Sequence, residues 1–194
     1  MVDQRMIDKW DEAYRVGTHW EKGHSKNIEE FSHYLKKEDI ILDLGCGSGR
    51  DCAFLGEKGF QVWGVDISKE AIRKAKEKIT EKNVHFLVND AENLGFKDGF
   101  FDTIYSGWLL QFLPMKKVST EIYRVLKKNG IVFLAFLLDR KIISTGRITK
   151  YYNKEEITSA FSDFRIIKEY EFFSENLEAR IPHTHNSFVM ILRK

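Results

Sequence analysis

Residues 40–49 read Ile-Ile-Leu-Asp-Leu-Gly-Cys-Gly-Ser-Gly, and the fold turns on this stretch. Ile40, Ile41, Leu42 and Leu44 make an apolar run interrupted only by Asp43, the pattern of a strand buried on both faces of a parallel sheet. Gly45, Gly47 and Gly49 follow at every second position. They form a turn with almost no side-chain bulk, whose backbone can take positive φ and approach a ligand closely. A helical pattern opens directly afterwards, so the turn's free amide groups are expected to point into a crevice at the sheet's carboxyl edge. This is the geometry of a nucleotide site, and its alternative is a tight βα turn with no ligand.

The spacing narrows the nucleotide. A dinucleotide fingerprint needs Gly-x-Gly-x-x-Gly, whereas here the third glycine comes one residue early and Arg50 takes its place, which disfavours a nicotinamide-dependent oxidoreductase. Asp43-x-Gly45-x-Gly47-x-Gly49 instead resembles motif I of the class I methyltransferases that depend on S-adenosylmethionine (SAM).

Downstream, Arg50–Glu57 reads as a helix closed by the turn at Lys58-Gly59, and Gln61–Val65 as a strand that ends at Asp66. Asp66 lies about 20 positions beyond the start of the glycine turn, where a carboxylate from the second strand reaches a ribose in doubly wound folds. Its alternative role is to cap the next helix, although Ser68 is the better cap. Residues 69–80 form an amphipathic helix with Ala71, Ile72, Ala75 and Ile79 on one face, and Val84–Val88 a third strand that leads to Asn89-Asp90-Ala91. Phe101–Ser106 makes the fourth strand, residues 115–128 the next helix, and Ile131–Leu138 the fifth strand. Asn153 caps a short helix with Glu155 and Glu156 in its first turn. Residues 164–172 and 187–192 read as two last strands, separated by a loop over 175–186.

The resemblance extends along this order. An Asp at the end of the third strand resembles the family's contact to the adenine amino group, with the Ala91 amide beside it; capping of a turn is the alternative for Asp90. Phe-x-x-Gly-Phe-Phe-Asp at 96–102 resembles the family's lead-in to strand four, and Leu126-Lys-Lys-Asn-Gly130 its lead-in to strand five, with Asn129 replacing a glycine in a turn whose left-handed conformation Asn tolerates. The resemblance implies one α/β domain over 1–194, with an amino-terminal helix and arm at 1–35, a cofactor-binding core at 38–138 and a completing part at 139–194. It implies a doubly wound, Rossmann-like sheet of seven strands in the order 3-2-1-4-5-7-6, strand 7 antiparallel, with helices on both faces. SAM is the implied cofactor and S-adenosylhomocysteine (SAH) its product form, held by Asp43, Gly45, Gly47, Gly49, Asp66, Ile67, Asp90, Ala91 and Ser106.

The acceptor side is less marked. Met6, Ile7, Trp10 and Tyr14 recur at helical spacing, and Trp10, Tyr14 and Trp20 are either core or a cover over an acceptor pocket. Trp108 and Gln111 follow strand four, where donor and acceptor meet in this fold, so they are pocket candidates beside the alternative of plain core. His183 and His185 are candidates for orienting the acceptor or taking its proton, and a metal site is not expected because no third ligand cluster accompanies them. Trp-x-x-x-Tyr-x-x-Gly-x-x-Trp at 10–20 and Pro-His-x-His at 182–185 are similar to the small thiopurine and tellurite-resistance methyltransferases. The implied acceptor is a small molecule; a macromolecular acceptor, or a SAM-binding regulatory module without transfer, are the alternatives.

Composition agrees with one globular domain. The 194 residues are 43% apolar and 31% charged, with two prolines and a net charge of +2. So small an excess, with no basic tract, implies no general nucleic-acid surface. Cys46 and Cys52 lie too close together to staple distant parts of the chain and read as buried thiols of a reducing cytoplasm. No apolar run approaches the ~20 residues of a membrane helix.

Overall fold

The structure, a computed structural model, describes residues 4–17, 23–142, 144, 148–176 and 183–194. At its centre lies β1 (Ile40–Leu44), paired in parallel with β2 (Gln61–Asp66) on one side and β4 (Phe101–Gly107) on the other. Ile41 and Leu42 are fully buried and Leu44 nearly so, as two covered faces require. β3 (Val84–Val88) pairs with β2, and β5 (Leu126–Leu137) with β4, both in parallel. Antiparallel β9 (His183–Arg193) then lies between β5 and β8 (Arg165–Asn176), so the order β3-β2-β1-β4-β5-β9-β8 is the expected 3-2-1-4-5-7-6. A short hairpin of β6 (Asp139–Ile142) and β7 (Ile148–Lys150) prolongs β5 along β9 and has no counterpart in the sequence reading.

Helices cover both faces. Ile28 and Phe31 of α2 (Lys26–Ser32), Cys52 and Leu55 of α3 (Arg50–Glu57), and Ile72 and Ala75 of α4 (Lys69–Lys78) pack on Ile41, Val62, Phe133 and Val189. On the other face Val118, Ile122 and Val125 of α5 (Met115–Val125), Ile157 of α6 (Lys154–Ala160) and Phe161 just after it pack on Leu42, Ile104, Leu134 and Phe188. α1 (Gln4–Val16) lies at the sheet's carboxyl edge, with Asp11 accepting the Ser68 hydroxyl at 2.6 Å and the Glu70 amide at 3.2 Å.

Local signals held where the chain alone supplies the partner. Ser68 caps α4 by accepting the Ala71 amide at 3.1 Å, and Asn153 with Glu156 forms a reciprocal capping box on α6. Asn129 takes the left-handed conformation at φ 65°. Three boundaries differ. α4 stops at Lys78, and Ile79 turns extended. α5 stops at Val125 because Leu126 already pairs with Phe101, and a bulge over the next residues is held by Lys127 on Asp102 at 2.8 Å and by the Lys194 amide on the Gly130 carbonyl at 3.1 Å. Within the expected 175–186 loop, the described residues 175, 176 and 183–186 are strand, since Ser174 pairs with His185 and Asn176 with His183. The polar sequence there hid the pairing, which is fixed by the neighbouring strand and not by alternation.

Candidate active site

The carboxyl ends of β1, β2, β4 and β5 open into a cavity of about 720 Å³. Its inner half is acidic. Asp43 is 2% exposed and accepts the Cys52 thiol at 3.1 Å. Burial first, and then the neighbouring Asp51, push its carboxyl well above the usual carboxylate range. Asp51, at the start of α3, accepts the Ser25 amide at 2.7 Å and hydroxyl at 2.9 Å, and that hydroxyl also meets the Tyr105 phenol at 2.9 Å. Asp66 holds the glycine turn by accepting the Gly47 amide and takes the Ser68 amide on its other oxygen, both at 2.9 Å. Burial raises its pKa against the opposing effect of those two amides. A carboxylate offers about four lone-pair positions, so Asp66 retains acceptors for further hydroxyl groups.

The glycines work differently from the expectation of free amides. Gly45 and Cys46 both donate to the Val65 carbonyl, Gly47 to Asp66 and Gly49 to the Cys46 carbonyl. Folding the turn onto the end of β2 satisfies these groups internally, and what the turn presents to the cavity is the bare backbone of Gly45 and Gly47, at φ 82° and 56°. A Cβ on Gly47 would overlap the Tyr14 hydroxyl.

Beside Asp66 lies a slot of about 30 Å³ lined by Ile67, Asp90, Ala91, Leu109 and Phe112, and closed by Met6 and Trp10 of α1. Trp10 sits edge-on to Phe112 at 5.7 Å. Asp90 accepts the Glu92 amide at 2.8 Å, the turn-capping role weighed from the sequence, while still bordering the slot.

The outer half is built from β4, β5, β6 and β9. Trp108 adopts φ 63°, unusual for a bulky residue, held by its amide on the Ala135 carbonyl at 2.9 Å and by Gln111 Nε2 on its carbonyl at 2.6 Å. Its ring stands edge-on to Phe172 at 6.2 Å and to His185 at 5.9 Å. Leu137 pairs with Ser187 and Lys141 with Thr184, so residues 138–140 oppose only 185–186. This extra residue brings both Leu137 and Arg140 to the cavity, facing His183 and His185. Arg140 Nη2 meets His183 Nδ1 at 3.2 Å, and His185 Nε2 meets the Ser174 hydroxyl at 2.6 Å. Burial, then His183 and Arg140, lower the pKa of His185, which favours a neutral imidazole whose buried Nδ1 has no partner.

Of the residues expected from the sequence, Asp43, Gly45, Gly47, Asp66 and Ile67 meet at the cavity's inner half, and Asp90 and Ala91 in the adjoining slot. Trp108, Gln111, His183 and His185 meet at its outer half. Trp10 and Tyr14 also line the cavity: Tyr14 sits over the glycine turn, and Trp10 closes the slot and meets Phe112, with α1 docked on α4. Two residues are not brought to the cavity. Ser106 spends its hydroxyl on the Leu44 carbonyl at 2.9 Å, which ties β4 to β1. Gly49 serves packing, since a Cβ there would strike Ile79 and Phe86. Trp20 lies outside the described residues. The sequence reading missed Asp51, Arg50, Tyr105, Arg140 and Tyr151 as cavity residues. Asp51 was within reach of it, as an acid in the first turn of the helix after the glycines.

Three carboxylates around a nearly bulk-free turn suit a ligand with positive charge and vicinal hydroxyls, and SAM offers a sulfonium, an ammonium and a ribose diol. Burial is the main cause of the raised pKa of Asp43, but Asp51 and Asp66 add to it, and a cation bound among the three carboxylates would relieve that repulsion. Among the described residues no group of three or more His, Cys, Asp or Glu side chains gathers as a metal site, and no helix is long and apolar enough to cross a membrane.

Comparison with known proteins agrees. A family described as "Methyltransferase domain" matches residues 42–134. A Bacillus subtilis (strain 168) protein named "Putative methyltransferase YqeM" is 31% identical over 166 residues, covering 78% of this chain and 67% of that one. The malonyl-[acyl-carrier protein] O-methyltransferase of Hamiltonella defensa is 28% identical over 134 residues, 69% of this chain and 51% of its own. A SAM-dependent methyltransferase structure from Methanosarcina mazei superposes with a TM-score of 0.70 at 25% identity, covering 89% of this chain and 98% of that one. The chain belongs to the class I SAM-dependent methyltransferases, and its cofactor is SAM. It spans about half to two thirds of the length of these two curated relatives.

Proposed function

We propose that this chain is a single-domain cytoplasmic enzyme that transfers the SAM methyl group to a small-molecule acceptor in the outer half of the cavity. The observation that carries this is continuity: one cavity runs from Asp43, Gly47 and Asp66 to Trp108, Arg140 and His185, so a donor in the inner half faces an acceptor in the outer half. The cofactor supplies a methyl group already activated on a sulfonium. The protein's task is alignment and exclusion of water, and orientation alone contributes roughly 7 to 11 kcal/mol in effective-molarity terms. Asp66 and the slot at Asp90 fix the nucleoside end, while Asp43 and Asp51 counter the positive charges. Trp108, Phe112 and Leu137 wall the acceptor. His185, neutral and with Nδ1 unpartnered, takes the acceptor's proton where the acceptor carries one. His183 orients the acceptor from beside it.

The small-molecule class rests on this cavity's volume of about 720 Å³, shared by donor and acceptor; the carrier-protein relative is named for an acceptor attached to a protein. The likeness to thiopurine and tellurite-resistance enzymes rests on segments at 10–20 and 182–185 and adds support only to that class. A thermal-shift panel of SAM, SAH, NAD and NADP followed by a screen of acceptors with methyl-labelled SAM tests the proposal. Stabilisation by SAM and SAH alone, with label entering a small molecule, is expected. Binding without any transfer would favour a regulatory SAM-binding module.

A further inference from the structure

The two halves of the cavity differ in charge. Asp43, Asp51 and Asp66 line the cofactor half, where the one cation among the described residues, Arg50, lies 3.8 Å from Asp51, whereas Arg140, His183 and His185 are the titratable side chains that line the outer half beside the Tyr151 phenol. Among the described residues the acid that acts on His185 is Asp139, and its oxygens are already engaged: it accepts the Asn186 amide at 3.2 Å and side chain at 2.9 Å. Arg140 pairs with no carboxylate among the described residues, and its Nε is buried without a hydrogen-bond partner. A guanidinium so placed is costly unless an anion completes it, and its fork matches a carboxylate through two parallel N–H donors. The walls beside it are apolar and aromatic: Leu137, Trp108, and Phe112 edge-on to Tyr151 at 5.6 Å.

From this charge separation we infer that the methyl acceptor is a small organic acid, held by its carboxylate against Arg140 and by an apolar or aromatic body against Trp108, Phe112 and Tyr151. The inference rests on the methyltransferase reading and adds the chemical class of the acceptor. Arg140 is here a specificity residue that positions the acceptor, and it takes no part in bond making. The one-residue bulge between β5 and β6 is what delivers it, since without the extra residue position 140 would face the opposite side of the sheet.

The test is calorimetry on the full chain saturated with SAH, using benzoate against benzamide and 3-phenylpropionate against its amide. Each pair differs in charge at nearly constant shape. At least one acid is expected to bind about tenfold or more tightly than its amide, as loss of a charge-assisted hydrogen bond implies. Arg140→Gln should erase that preference with SAH affinity unchanged, and Arg140→Lys, which keeps the charge but not the fork, should retain part of it. Equal binding of acids and amides, or no acid binding in the panel, overturns the inference. So does a preference that survives in Arg140→Gln. A large loss of SAH affinity in Arg140→Gln, with the thermal transition intact, would assign Arg140 to the cofactor and overturn it as well. Failure of the wild-type chain to bind SAH overturns the methyltransferase reading itself, so the two failures are told apart by the first titration.

Discussion

Replacing Asp43 by Asn should make the cofactor-free protein more stable, by an amount that grows with pH. Asp43 is 2% exposed with Asp51 close by, and its carboxyl titrates at about 8 in the folded chain, against roughly 3.9 for an unperturbed Asp. Because the native pKa lies above the unfolded one, the native state binds more protons between the two values, and stability falls as pH rises through that window. Each pH unit inside it costs about 1.4 kcal/mol, so the native state loses on the order of 2 to 3 kcal/mol between pH 5 and pH 7 through this group. Asn keeps the shape and an acceptor for the Cys52 thiol but cannot ionise. Thermal unfolding should therefore show a gap between Asp43→Asn and wild type that widens by roughly 5 to 10 °C over those two pH units, at about 2 to 4 °C per kcal/mol for a chain of this size. SAM should reverse the order, because its positive groups stabilise the ionised carboxylate, and calorimetry at pH 7 in two buffers of different ionisation enthalpy should register proton release on binding. A gap that does not change with pH, or a wild type that stays the more stable protein above pH 7 without ligand, would refute this account of Asp43.

Asp66→Ala should weaken SAM and SAH by about tenfold to one-hundredfold through loss of a charge-assisted acceptor, and calorimetry showing unchanged affinity in a folded variant would remove the ribose assignment. Gly47→Ala should cost roughly 1 to 2 kcal/mol from its left-handed backbone alone and more from the overlap with Tyr14; Tyr14→Phe should recover part of the second component in chemical unfolding, and no recovery would mean that α1 does not press on the turn. The slot beside Asp66 is narrow and is closed by Met6 and Trp10, so an adenine seated there should bear on α1; hydrogen exchange over residues 4–16 should change when SAH is added, and an unaltered pattern at saturation would place the adenine elsewhere. His185→Gln should lower kcat by about a hundredfold or more with SAM affinity retained, and the wild-type rate should fall with acid only below the usual histidine range, since burial lowers this pKa; equal rates would leave the imidazole without a catalytic role.

Local chemistry was legible in the chain order. The run at 40–44 specified a strand buried on both faces, the alternate glycines a turn of positive φ, and Ser68 and Asn153 their helix starts, because in each case the partner lies within a few residues. Asp66 was found for a related reason: in a βαβ unit the second strand must end beside the first, so counting along the sequence locates it. Arg140 could not be found that way. Its place depends on β6 registering against β9, some forty residues later, with one residue to spare, and nothing in residues 138–142 announces that pairing. The same holds for His183 and His185, which read as loop residues and stand on a strand because β8 supplies their partners. Ser106 shows the opposite error, since a hydroxyl at a strand end reads as a ligand contact until the neighbouring strand claims it. The sequence thus located Asp43, Gly45, Gly47 and Asp66 at the cavity's inner half, where contacts within consecutive elements set their places, although it missed Asp51 and Tyr105. The outer half was assembled only by tertiary structure, because its residues come from strands whose register is fixed by long-range pairing and side-chain burial.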